Sequence, residues 1–116
     1  DGDGLDELCI GQGPYTTNGG WVEFLDDAAR GYASLGWKRV PWPRYNGLNG
    51  EVRPSVGQLV DGGAEETVLG LGTYRNAGGW MPILGGAPGF SVITWRRLPD
   101  TAYDAANGET RPSVRR

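Results

Sequence analysis

Apolar positions in this chain fall in short runs broken by Gly, Asn and Pro, and no stretch keeps a helical period for long. Residues 8–10, 21–25, 35–39 and 52–59 read as four strands, and residues 67–69, 80–84, 93–97 and 110–116 as four more. Proline closes the third strand of each set, at Pro41 and Pro99, and Asn49-Gly50 and Asn107-Gly108 supply turns before the fourth. Alternation is only partial: Trp21, Glu23 and Leu25 share one face and Val22 and Phe24 the other, as in a sheet covered on both sides. Residues 26–30 fit one helical turn, and nothing longer is expected.

The two sets are copies. At an offset of 58, Trp37, Arg39, Pro41, Tyr45, Asn49-Gly50-Glu51 and Arg53-Pro54-Ser55-Val56 find identical counterparts, eleven of the twenty positions from Trp37 onward. Upstream the offset is 59, and Gly11, Gly13, Tyr15 and Gly19-Gly20-Trp21 match Gly70, Gly72, Tyr74 and Gly78-Gly79-Trp80. Residues 1–59 and 60–116 are therefore two repeats. A four-stranded unit with apolar residues on both faces cannot bury them alone and stacks on neighbours, as a β-propeller blade does. The expected class is all-β: propeller blades of four-stranded antiparallel sheets, two blade equivalents per chain.

Composition narrows the functional classes. Gly 21 and Pro 8 beside five Trp and five Tyr suit tight turns between aromatic strands. A net charge of −3 points to neither nucleic acid nor membrane insertion. The absence of histidine removes imidazole chemistry, including the Ser-His-Asp and Cys-His schemes. Cys9 sits in an apolar run and reads as a buried, inert thiol rather than a nucleophile. The carboxylate pairs Asp26/Asp27 and Glu65/Glu66 are adjacent in sequence and point apart on a strand, so no enzyme is expected.

The opening segment Asp1-Gly2-Asp3-Gly4-Leu5-Asp6-Glu7 places acids on a Gly-rich turn before a strand, the ligand type and backbone freedom that Ca²⁺ asks for. Together with Arg53-Pro54-Ser55-Val56-Gly57-Gln58-Leu59 and the acid-and-glycine turn after it, this resembles the FG-GAP/VCBS repeat of integrin-α-like β-propellers. The resemblance covers both repeats and implies a Ca²⁺ loop in which Asp1 and Asp3 are the second and third acids. It makes Gly4 the glycine, Leu5 the carbonyl ligand and Glu7 the last acid, with the first acid absent. A solvated acidic turn is the other reading of these residues. In the second copy Val60 and Gly62 replace the acids and Gln58 stands at the first-ligand position. Only Gly63 and Glu66 keep their places, with Asp61 and Glu65 out of register, so a polar loop without metal is expected there.

The strand count gives three, then four, then one left over. A ring of three or four copies is therefore expected, each C-terminal strand completing the neighbour's first blade. Register would bring Arg115 and Arg116 to Asp1 and Asp3 across that seam, where a guanidinium is an alternative to the metal. Most aromatics recur and are expected to be core: Trp21/Trp80, Trp37/Trp95, Tyr15/Tyr74, Tyr45/Tyr103 and Tyr32/Phe90. Trp42 stands against Asp100, and with Arg44 it forms a candidate ligand site in a stiff Pro41-Trp42-Pro43 segment, suited to stacking on a sugar ring. Inter-blade packing is the plainer role for Trp42. The expected function is a lectin-like, non-catalytic binding or adhesion module, extracellular or periplasmic, and the alternative is a self-assembling scaffold with no ligand. An excised piece of a longer propeller would read the same way.

Overall fold

The computed structural model describes residues 5–86 and 89–115. Two antiparallel sheets carry the chain. The first has the order β1 (Leu8–Gly11), β2 (Trp21–Leu25) and β3 (Ser34–Arg39), and the second β4 (Val52–Gly57), β5 (Glu66–Leu71), β6 (Trp80–Leu84) and β7 (Val92–Arg97). Seven expected strands are thus present within a residue or two. The eighth is not a strand of either sheet. Residues 110–115 are held at two points, Thr110 by its N–H to the Leu71 carbonyl and by its hydroxyl from the Leu71 N–H, each at 2.8 Å, and Val114 by its N–H to the Ser55 hydroxyl at 2.9 Å, without a ladder partner among the described residues. Among those residues the two sheets do not close into a barrel or ring.

Repeat equivalence extends to irregularities. The β2–β3 register shifts between Phe24 and Leu25, and the β6–β7 register shifts between the matching Ile83 and Leu84. Tyr32 and Phe90, also counterparts, both take a left-handed backbone at φ 57° and 46°. That conformation is costly for a side chain larger than glycine's and persists only where neighbouring structure imposes it.

Two helices escaped the sequence pattern: α1 (Pro43–Leu48) and α2 (Thr101–Ala106), six residues each. One and a half turns show no hydrophobic period, but local chemistry explains both. Pro43 starts α1, its missing N–H costing nothing at that position. Asp100 caps α2 by accepting from Tyr103 N–H at 3.1 Å. Asn49-Gly50 and Asn107-Gly108 are consequently helix exits, not hairpin turns, and β3 and β4 belong to different sheets. The expected turn at 26–30 is a single 3₁₀ turn, Ala28–Arg30, capped by Asp27 and ended by Gly31 at φ 66°.

The core lies between the sheets. Val22, Phe24, Val40 and Tyr45 meet Val52, Leu69, Leu71, Leu84 and Phe90, all buried. Phe24 and Phe90 stack face to face with centroids 3.9 Å apart. β2 buries the face of Val22 and Phe24, while β6 buries the opposite one, with Pro82 and Leu84 inside. The same unit thus uses both its faces, one in each copy. β5, buried along its whole length, is sandwiched, whereas Leu8 and Ile10 of its counterpart β1 are exposed. Close approach is set by glycine: a Cβ on Gly11 would strike the Val52 carbonyl, and one on Gly70 the Thr110 carbonyl and the Pro112 ring.

Tyr45 ties the two units together. Its hydroxyl donates to the Glu51 carbonyl and accepts from Gly72 N–H, each at 2.5 Å, and its ring is fully buried. Burial is the largest influence on this phenol and pushes its pKa well above the ordinary value. Tyr45→Phe strands a carbonyl and an N–H in the core and is expected to cost about 1–3 kcal/mol. Denaturant unfolding checks this: the midpoint should fall with the m-value unchanged.

Candidate functional site

Paired strands bring the tryptophans together. Trp80 lies opposite Arg97 and Trp95 opposite Pro82, so Trp80 and Trp95 are diagonal neighbours on one face. Their rings meet edge to face at 6.4 Å. Trp21 and Trp37 repeat this arrangement at 6.4 Å on the first sheet. An arginine covers each first ring: Arg39 sits 5.4 Å over Trp21 and Arg97 5.0 Å over Trp80. Backbone bonds from the guanidine Nε to Gly19 O and Gly78 O, at 2.8 and 2.9 Å, hold these arginines in place. Buried Asp104 adds a carboxylate 3.3 Å from Arg97, where the first copy has the neutral Asn46.

Trp42 converts one of these platforms into a cleft. Leaving β3 through Pro41, it packs on Tyr45 at 5.4 Å and Tyr74 at 4.4 Å and stands nearly perpendicular to Trp95 at 6.3 Å. Pro41, Trp42, Trp80 and Trp95 line an apolar depression of about 420 Å³ between the units. The sister depression on the first sheet, also about 420 Å³, is lined by Gln12, Asn18, Trp21 and Trp37 and has no third tryptophan. Asn18 accepts there from the Trp21 indole N–H at 3.1 Å. Arg44 is not part of either cleft. It lines a separate depression of about 300 Å³ with Leu48, Thr73, Tyr74, Arg75 and Asn76, so the expected pairing of Trp42 with Arg44 is not made.

The aromatic core expectation needs correction for one copy. Tyr45 and Phe90 are buried, but Tyr15, Tyr32 and Trp37 are 51%, 55% and 54% exposed. All three belong to the first unit, on the face that no other sheet covers. The paired tryptophan clefts were not read from the sequence either. Their signal was present, a tryptophan opening the second strand and another in the third, but strand register decides that they touch.

The loop positions divide. Asp1, Asp3 and Arg116 lie outside the described residues, Leu5 and Arg115 are exposed, and Glu7 is half-buried. Among the described residues no three acidic or thiol side chains converge as a metal cluster. In the second loop the Gln58 amide donates to the carbonyls of Val60 at 2.6 Å and Gly62 at 3.2 Å. Glu66 accepts from Leu59 and Val60 N–H at 2.7 and 3.2 Å. The loop thus directs its carbonyls at an amide donor where a cation would need several oxygens. The other carboxylate pair is also engaged with backbone: Asp26 accepts from Asp27 N–H and Asp27 from Ala29 N–H, at 2.9 and 2.7 Å. Burial pushes the Cys9 thiol up to about 12, so it holds its proton at neutral pH.

A charge ladder crosses between repeats. Arg53 bonds Glu51 at 2.8 Å and reaches Glu109 of the next repeat at 3.2 Å, while Arg111 bonds Glu109 at 2.7 Å. Desolvation works to raise the Glu109 pKa, but the Arg53 and Arg111 guanidiniums together bring it below its ordinary value. For Arg53, desolvation works to lower the pKa and the Glu109 and Glu51 carboxylates raise it.

Comparison with known proteins finds no matching family model, curated protein or solved structure.

A lowered folded pKa means that Glu109 contributes stability that is present above its unfolded pKa and is lost as pH falls through the folded one. Glu109→Gln should therefore lower the melting temperature near neutrality and have progressively less effect on acidification through the carboxylate range. Melting curves of both proteins across that range check the sign.

Proposed function

We propose that this chain is a non-catalytic β-propeller-type binding module whose Trp42 cleft takes the apolar face of a carbohydrate. The observation that carries the reading is the third tryptophan. Trp42 has no counterpart in the second repeat, where Asp100 stands, yet it completes an open aromatic cleft with Trp80 and Trp95. Perpendicular indoles offer two faces to the C–H groups of one sugar ring, and pockets of this size and apolar character suit small ligands. The propeller assignment draws support from the two equivalent antiparallel sheets, the matching register shifts and the use of both sheet faces. An extracellular or periplasmic position accompanies this reading.

The packing of Trp42 on Tyr45 and Tyr74 supports the second reading, a scaffold that binds nothing beyond its own kind. A glycan array separates them. Trp42→Ala should lose glycan binding by roughly tenfold, the aromatic contact being worth about 0.5–1.5 kcal/mol beyond the area lost. Trp37→Ala, in the sister cleft, should retain it. Silence of the unaltered protein on the array favours the scaffold.

The opening loop is proposed as a Ca²⁺ site built from Asp1, Asp3, the Leu5 carbonyl and Glu7, with a further ligand from elsewhere. Calorimetric titration with Ca²⁺ should give heat and a raised melting temperature that chelator reverses. No heat and no shift make it a solvated acidic turn.

A further inference from the structure

We propose that a second copy of this chain docks head-to-tail on the bare face of the first sheet, and that residues 110–115 of one copy add as a strand beside β1 of the other. The inference rests on the repeat geometry and not on carbohydrate binding. It names the surfaces, the register and an ion pair of such a contact.

The junction between the two sheets is the template. The second unit contributes Leu69, Tyr74, Phe90 and Trp95, and the first contributes Phe24, Val40, Trp42 and Tyr45. The counterparts of the former group on the first unit are Ile10, Tyr15, Tyr32 and Trp37, exposed to 47%, 51%, 55% and 54%. The counterparts of the latter group on the second unit are Ile83, Leu98 and Tyr103, each half-buried, and Asp100, exposed. Both halves of one interface thus occur twice, and among the described residues only one pairing of them is packed. Tyr32 keeps the left-handed backbone that aims Phe90 onto Phe24, but its own ring lies in solvent. Ile83 of the partner subunit stands where that stack would form.

The strands complete the same pattern. β5 pairs on both edges, with β4 and β6, whereas its counterpart β1 pairs only with β2 among the described residues. An open edge of this kind is a template for another strand. Residues 110–115 are the counterpart of β4 and already hold its place: the bond from Thr110 N–H to Leu71 O repeats the one from Val52 N–H to Gln12 O, both at 2.8 Å. Transferring the β4–β5 register sets Ser113 opposite Cys9 of the partner subunit and Arg115 opposite Glu7 of the partner subunit. In the charge ladder, Arg111 stands as Arg53 does but is 70% exposed and, among the described residues, bonded to Glu109 alone. The same step carries its guanidinium to Glu51 of the partner subunit. A head-to-tail contact of this type closes when its rotation divides a full turn.

Native mass spectrometry and light scattering of the intact chain at micromolar concentration test the proposal. A discrete closed assembly of three or four copies is expected, and a monodisperse monomer overturns it. Tyr32→Lys and Arg111→Glu alter exposed side chains, so circular dichroism should be unchanged while the concentration at which the assembly dissociates rises about tenfold or more. Assembly that ignores both changes overturns the proposed surface. Removal of residues 113–116 should leave the circular dichroism spectrum unchanged but abolish the closed assembly, and an assembly that survives the removal overturns the added strand.

Discussion

A sheet apolar on both faces has to be covered on both, and nearly every feature of this molecule answers that requirement. The buried face of the first sheet, with Val22 and Phe24, meets the opposite face of the second, with Pro82 and Leu84. Hydrophobic burial brings the units together but has no direction. Tyr45 supplies it. A fully buried phenol bonded to Glu51 O and Gly72 N–H admits one placement of the second unit on the first, since any slip strands polar groups in the core.

Glycine and the short helices serve the same junction. Gly11 lets the backbone of β4 cross β1 closely, and Gly70 lets residues 110–112 cross β5 in the same way. The helices carry Tyr45 and Tyr103 back toward the carbonyls of Glu51 and Glu109, with hydroxyl bonds of 2.5 and 2.6 Å. Outside the core, the Arg53 bridge from Glu51 to Glu109 joins successive repeats through charge. Partly exposed ion pairs of this kind set register and partner choice more than they add stability.

The candidate cleft is a by-product of that stacking. Both units present two perpendicular tryptophans under an arginine, because strand register makes the residues diagonal neighbours. Only between the units does a third tryptophan close the side of the depression. The carboxylates of Asp26, Asp27 and Glu66 accept backbone N–H bonds at the 3₁₀ turn and in the second loop.

Much of this was legible along the chain. The repeat, the seven paired strands, their division into three and four, and the single turn at 26–30 follow from local pattern, because strand period and turn chemistry are written residue by residue. Helices α1 and α2 were not, since a turn and a half leaves no period to read. Nor were the partners of the aromatics: Tyr32 and Phe90 are equivalent in sequence and in backbone, but one ring lies in solvent and the other stacks on Phe24. The sequence by itself determined what each repeat is. Which face is covered, and hence which of Tyr32 and Phe90, or Trp37 and Trp95, belongs to a core, was decided only in the tertiary structure. Burial depends on the neighbour a residue is given, and two identical patterns with different neighbours end in different environments.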